Sequence, residues 1–190
     1  GFTGMSALLL ADQQDPDSSR LLLERAGVGR MYYRVGLEWA STATNLPARS
    51  EGLTIVRAIR DGSGVIAEDQ AIATGELLAL DIQLDTRSEL THVAIELPLP
   101  AGLEAIDMSL GKGSAAMRIS GNEGRWVSHQ ELRRDRAVVF ADHLNPGTHT
   151  HTVFLRATTP GEYVMPPASA EMMYYPEVYG RTASRRVSVR

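Results

Sequence analysis

Apolar and polar residues alternate with a period of two along much of the chain, the spacing that puts every second side chain on one face of a strand. The clearest run is residues 78–85. There Leu78, Leu80, Ile82 and Leu84 form one face and Ala79, Asp81, Gln83 and Asp85 the other. Val93, Ile95 and Leu97 repeat the pattern, followed by Val153, Leu155 and Ala157, then Tyr163 and Met165, and finally Val187 and Val189. Such alternation predicts antiparallel strands with one buried and one wetted face. Helical periodicity is sustained nowhere, so the expectation is an all-β antiparallel sandwich. Its core would hold Leu78, Leu80, Ile82, Leu84, Val93, Ile95, Val153, Leu155, Tyr163, Val187 and Val189.

Turn signals separate these runs: Asp61-Gly62-Ser63-Gly64, Pro100-Ala101-Gly102, Gly121-Asn122-Glu123-Gly124, Asn145-Pro146-Gly147 and Thr159-Pro160-Gly161. Proline presets φ and glycine supplies positive φ, so each can reverse the chain between strands. The polar stretch 46–52 carries both Pro and Gly and reads as a linker, which places a domain boundary near residue 46. Upstream, residues 21–26 and 30–40 read as two strands joined across 26–29. Two strands cannot stand alone in water, so they must belong to a further module or pack on the larger domain. Gly1 to Ser6 reads as a cloning scar or a cut inside a longer chain, and residues 1–19 as a whole as scar or linker.

The 190 residues, 43% of them hydrophobic, suffice for one main core. The net charge of −4, scattered along the chain, offers no footprint for nucleic acid or an anionic membrane. The chain has no cysteine. That excludes disulfides, a thiol nucleophile and thiolate metal sites. The apolar run 7–11 is far short of the ~20 residues of a spanning helix.

Candidate chemistry is sparse. Gly111-Lys112-Gly113-Ser114 lacks the glycine spacing of a phosphate loop and reads as a surface turn. His149 and His151 share a strand face and could begin a metal site, with His143 and His129 the nearby additions in sequence. No third ligand is evident, and an exposed Thr/His strand edge explains the same residues. No Gly-x-Ser-x-Gly elbow occurs, and Asp81 and Asp85 lie on the polar side of a strand. No catalytic residue, metal site or cofactor is expected.

One stretch is unusual in composition. Residues 172–179 hold two of the chain's seven Met and three of its six Tyr, between Pro166-Pro167 and beyond Pro176. Prolines extend the backbone and remove N–H donors, which predicts a loop or edge strand here rather than a central strand. On a loop, these side chains form either a lid over the domain's own core or an exposed anchor for a partner.

Several of these segments together resemble the bacterial alpha-2-macroglobulins. The resemblance is carried by Arg156-Ala157-Thr158-Thr159-Pro160-Gly161, Pro166-Pro167-Ala168, Glu171-x-Met173-Tyr174-x-Pro176-Glu177 and Gly180-Arg181. Upstream, Gly29 to Arg34, Leu97 to Glu104, Trp126 and the run from His129 to Arg136 follow in the same order. It covers roughly residues 20–190. The resemblance implies a final macroglobulin-like domain of the receptor-binding type at 46–190, preceded at 20–45 by the last strands of a CUB-type module. The parent would be an extracytoplasmic, periplasmic and often membrane-anchored protease trap, whose bait is cut before a thioester captures the protease.

This stretch of chain holds neither bait nor thioester, since a Cys-x-Glu-Gln thioester needs cysteine. The resemblance gives Met173 and Tyr174 the role of shielding the thioester, with Glu171 and Tyr175 in the same interdomain contact. Its partners would then be the thioester domain of the same parent chain and, through the parent, target proteases. Contact with nucleic acid or membrane is not expected. The lysine-bearing receptor helix of vertebrate relatives is not carried over, because Lys112 is the sole lysine and has no amphipathic helix around it. The rival reading is a stand-alone carbohydrate- or protein-binding sandwich.

Overall fold

The computed structural model describes residues 43–107, 121, 122 and 124–190, with Gly29, Arg30, Tyr32 and Tyr33 before them. Two compact units are distinguished, 1–40 and 41–190. The expected strands at 21–26 and 30–40, the segment 1–19 and the turn at 111–114 fall outside the described residues or touch them only at isolated positions.

Thirteen strands make up the described part of the larger unit. A four-stranded sheet runs in the order β2 (Leu53–Arg60), β4 (Leu77–Thr86), β9 (Gly147–Ala157) and β6 (Leu103–Ala105). A six-stranded sheet contains β1 (Arg49–Glu51), β12 (Tyr175–Arg181), β11 (Ser169–Met172), β5 (Leu90–Pro98), β8 (Arg136–Leu144) and β7 (His129–Leu132). A small third sheet joins β10 (Gly161–Met165), β13 (Arg185–Val189) and β3 (Ala71–Ile72). Strand pairing is antiparallel apart from β13 with β3.

The alternation that predicts this sandwich is kept in its register. Leu80 lies between Ile59 on β2 and Val153 on β9, and Leu78 faces Leu155. All of these belong to one buried cluster with Val93, Ile95, Val139 and Ala170 of the six-stranded sheet and Val187 and Val189 of the third. Tyr163 is an exception among the expected core residues: it is half-buried, because its hydroxyl reaches out to donate to the carbonyls of Thr159 and Pro160, each at 3.1 Å. Ala79, expected to face water, is fully buried, small enough to lie covered between Arg60 and Phe154 of the flanking strands. The outer face of this sheet also carries Asp81, Gln83 and Asp85 of β4, as expected, alongside the apolar Val56 of β2 and Phe154 of β9. Arg60 and Thr152 both donate to the Asp81 carboxylate, at 2.8 and 2.7 Å, which ties β2, β4 and β9 together.

Three of the predicted turns lie at junctions between consecutive strands, and each carries the chain from one sheet to another: residues 100–102 between β5 and β6, 145–147 between β8 and β9, and 159–161 between β9 and β10. Asp61 Oδ1 accepts the N–H groups of Ser63 and Gly64 and closes the turn after β2. Asn122 behaves differently. It exchanges hydrogen bonds with Thr152, so the segment runs beside β9 instead of reversing between two strands.

Two glycines let the sheets meet. The chain passes from β1 in the large sheet to β2 in the other through Gly52, at φ +79°, a conformation that costs a non-glycine residue strain. Beneath this crossover lies Gly180 of β12, where an added Cβ would sit 2.4 Å from the carbonyl oxygen of Leu53. Backbone cannot yield as a side-chain tip can. Gly180→Ala is therefore expected to destabilise the domain by about 1–3 kcal/mol, the ordinary range for overpacking, as read by urea unfolding.

Asp81 supplies a second prediction. Burial pushes its carboxyl up, but the hydrogen bonds from Arg60 and Thr152 and the Arg60 charge outweigh this and hold it below the usual carboxylate range. A depressed folded pKa gives stability that is present above the unfolded value of ~3.9 and lost as pH falls through the folded one. Asp81→Asn should thus cost about 1 kcal/mol near pH 7, discounted for partial exposure. Its unfolding midpoint should fall less steeply than the wild type's as pH drops from about 5 to 2.

Candidate functional site

Ser169 to Met172 is free of proline, with Pro166 and Pro167 ahead of it and Pro176 beyond the turn. It can therefore donate and accept along both edges, and β11 lies in the interior of the six-stranded sheet, between β5 and β12. This corrects the expectation of a loop or edge strand. Ala170 is fully buried opposite Ile95, so the inner face of the hairpin belongs to the core.

At its far end the hairpin is of another character. Met172 pairs with Tyr175, and Met173 and Tyr174 form the two-residue tip between them. The register then shifts, with Glu171 paired to Tyr179, so Pro176, Glu177 and Val178 stand outside the ladder. Proline's missing N–H is tolerated at such an irregularity. Met173, Tyr174 and Tyr175 are exposed by 53%, 71% and 57%. Single exposed apolar residues are ordinary, whereas three in succession at one tip make a contiguous exposed patch.

Of the four expected site residues, Met173, Tyr174 and Tyr175 are brought together here. Glu171 is set apart: it is exposed on β11, beside Ala94 of β5 and Tyr179 of β12, one strand position before Met172.

A fifth residue supports the tip. The Met173 N–H donates to the His92 carbonyl at 2.8 Å, extending the β5–β11 ladder one step beyond the Met172–Val93 pair. The His92 ring meets the Tyr174 ring edge-on, with centroids 5.3 Å apart and planes at 77°. His92 has φ +53°, and the β5–β8 ladder skips it while keeping its register on either side. A non-glycine residue in this region is held there by its surroundings at a cost of about 1–2 kcal/mol. In sequence His92 is one polar letter in an alternating strand. Its conformation depends on a hairpin some eighty residues later, so only the pairing of β5 with β11 reveals it.

His149 and His151 each meet hydrogen-bond partners within the domain. His149 Nε2 lies 2.8 Å from the Asn145 carbonyl, and His151 Nε2 lies 2.6 Å from Gln130 Oε1 while its Nδ1 accepts from the Gly124 N–H. Trp126 packs edge-on against both rings. The exposed-edge reading of these residues is also corrected, because β9 is interior and His151 is 6% exposed. They form a polar plug between the two large sheets. Among the described residues no group of three or more His, Asp or Glu could hold a metal.

Comparison with known proteins sets this geometry in context. A family model, bacterial alpha-2-macroglobulin MG10 domain, matches residues 52–177. An alpha-2-macroglobulin homolog of Nostoc sp. is 31% identical over 179 residues, which is 89% of this chain and 9% of that protein. The alpha-2-macroglobulin of Escherichia coli K12 is 29% identical over 168 residues, 83% of this chain and 10% of that one. The crystal structure of native Escherichia coli alpha-2-macroglobulin, from domain MG7 to the C-terminus, superposes with a TM-score of 0.65 at 27% identity, over 75% of this chain and 24% of that one. Salmonella alpha-2-macroglobulin reacted with methylamine gives 0.62 at 26% identity, over 76% and 10%. The chain thus spans roughly a tenth of the length of these curated relatives. With two-thirds of its length matched by one domain model and the same sandwich found in solved relatives, the chain belongs to the bacterial alpha-2-macroglobulin family, through a domain of the MG10 type.

Proposed function

We propose that this chain is the non-catalytic C-terminal part of a bacterial alpha-2-macroglobulin-like endopeptidase inhibitor, and that its hairpin tip docks on and shields the thioester-bearing domain of the same parent. In this reading residues 46–190 are the final macroglobulin-like domain, 20–45 the last strands of a CUB-type module and 1–19 scar or linker. The parent works outside the cytoplasm, in the periplasm, and meets its target proteases there.

The observation that carries the reading is the exposure of Met173, Tyr174 and Tyr175 on a hairpin whose base is core. A thioester survives only while water and amines are kept from it, and a thioether beside aromatic rings supplies a surface with little capacity to hold water. A rigid base matters as much. A mobile tip would spend part of any docking energy on its own ordering. The β11 pairing on both edges and the His92 carbonyl hold it in place beforehand.

Replacing Met173 and Tyr174 together by Ala tests this in two settings. In the isolated 190-residue chain the change should cost less than about 0.5 kcal/mol, as for surface substitutions, because no cavity opens. In the full-length inhibitor it should speed reaction of the thioester with methylamine. A loss of about 2–5 kcal/mol in the isolated chain would mark the pair as core. An unchanged methylamine rate would favour the stand-alone binding module instead.

A further inference from the structure

Among the described residues His92 is the one non-glycine residue at positive φ, and its pairing with β8 does not demand that conformation. The register is the same before and after it, Thr91 opposite His143 and Val93 opposite Ala141, so no residue has been inserted that would force a bulge. Asp142, which faces His92 in that register, is engaged on its far side, where its Oδ1 lies 3.1 Å from Ser128 Oγ. Strain that one edge of a strand does not require directs attention to the other edge. There the His92 carbonyl accepts the Met173 N–H at 2.8 Å, and the imidazole stands edge-on to the Tyr174 ring with centroids 5.3 Å apart.

Two parts of one residue thus hold two parts of the tip. The carbonyl fixes the backbone at Met173, but it does nothing for the ring of the next residue. Tyr174 is 71% exposed, so the sandwich packs little around it, and an unsupported phenol ring would move among its rotamers. An edge-to-face contact selects one of them. We propose that His92 is the positioning residue of the hairpin tip: its left-handed backbone brings the imidazole to Tyr174, and the imidazole sets the direction in which the Tyr174 ring is presented. This rests on the reading of the tip as a docking surface and adds how that surface keeps its shape before its partner arrives. A ring held in advance loses less freedom on docking.

The residue type fits both demands. Left-handed backbone is adopted readily by Gly and, among residues with a Cβ, most often by Asn, Asp and His. Of these only His carries a ring that can stack edge-on against a tyrosine.

His92→Gly separates the two parts, because glycine keeps the carbonyl and the positive φ while removing the ring; His92→Asn serves if that variant fails to fold. In nuclear magnetic resonance of the 190-residue chain, the Met173 amide should stay protected from exchange, whereas the Tyr174 ring signals should move to the positions of a freely rotating tyrosine. Tyr174 signals that do not move would overturn the positioning role. In the full-length parent, His92→Gly should speed the reaction with methylamine by about two- to tenfold, the equivalent of one edge-to-face contact, and should add nothing when Tyr174 is already Ala. If Tyr174→Ala speeds the reaction while His92→Gly is silent or fully additive with it, His92 does not act through Tyr174 and the proposal fails. If Tyr174→Ala itself leaves the rate unchanged, the docking reading fails, and the ring signals of the 190-residue chain alone decide whether His92 positions Tyr174.

Discussion

Everything distinctive about this domain depends on β11 being hydrogen-bonded along both edges. A strand pinned between β5 and β12 leaves no freedom in where its hairpin points, so the positions of Met173 and Tyr174 follow from the ladder and not from the preferences of a loop. The same pairing draws the His92 carbonyl toward the Met173 N–H and holds His92 at positive φ. Through β12 it also sets Gly180 under Leu53, the close approach that locks the two large sheets together. Core packing, the sheet crossover and the exposed tip are thus consequences of one arrangement of strands.

The sandwich was legible wherever one face of a strand is wet. Residues 78–85 and 93–97 declare their faces by alternation alone, and the register confirms them. Alternation loses its meaning where something covers the second face, which is why Ala79 is buried against expectation, whereas His151 is a polar letter on the core-side face, where Gln130 of the facing sheet meets it. The pairing of the hairpin is hidden in the sequence for a definable reason. The prolines of the wider stretch point to a loop, although Ser169 to Met172, the four residues that need donors on both edges, contain none. The tip residues were legible only as a composition and a family motif, and His92 not at all, because its role arises from a partner strand distant in sequence.

Polar groups in this domain fall into two kinds with different energetics. Asp81 sits among its own donors, Arg60 and Thr152, and the set is complete within the domain. Arg57 and Arg185 instead rest on backbone carbonyls, with the Glu68 charge acting on Arg185. Apolar surface shows the same division, with the sandwich core covered internally and the tyrosines at the hairpin tip left exposed.

A photo-crosslinking residue in place of Tyr174 in the full-length parent reads directly the proposed contact between the hairpin tip and the thioester-bearing domain. In the untreated protein the crosslink should map to the peptide that flanks the thioester, and it should disappear after reaction with methylamine. A crosslink confined to residues of the sandwich itself, or one that methylamine leaves unchanged, would contradict the account.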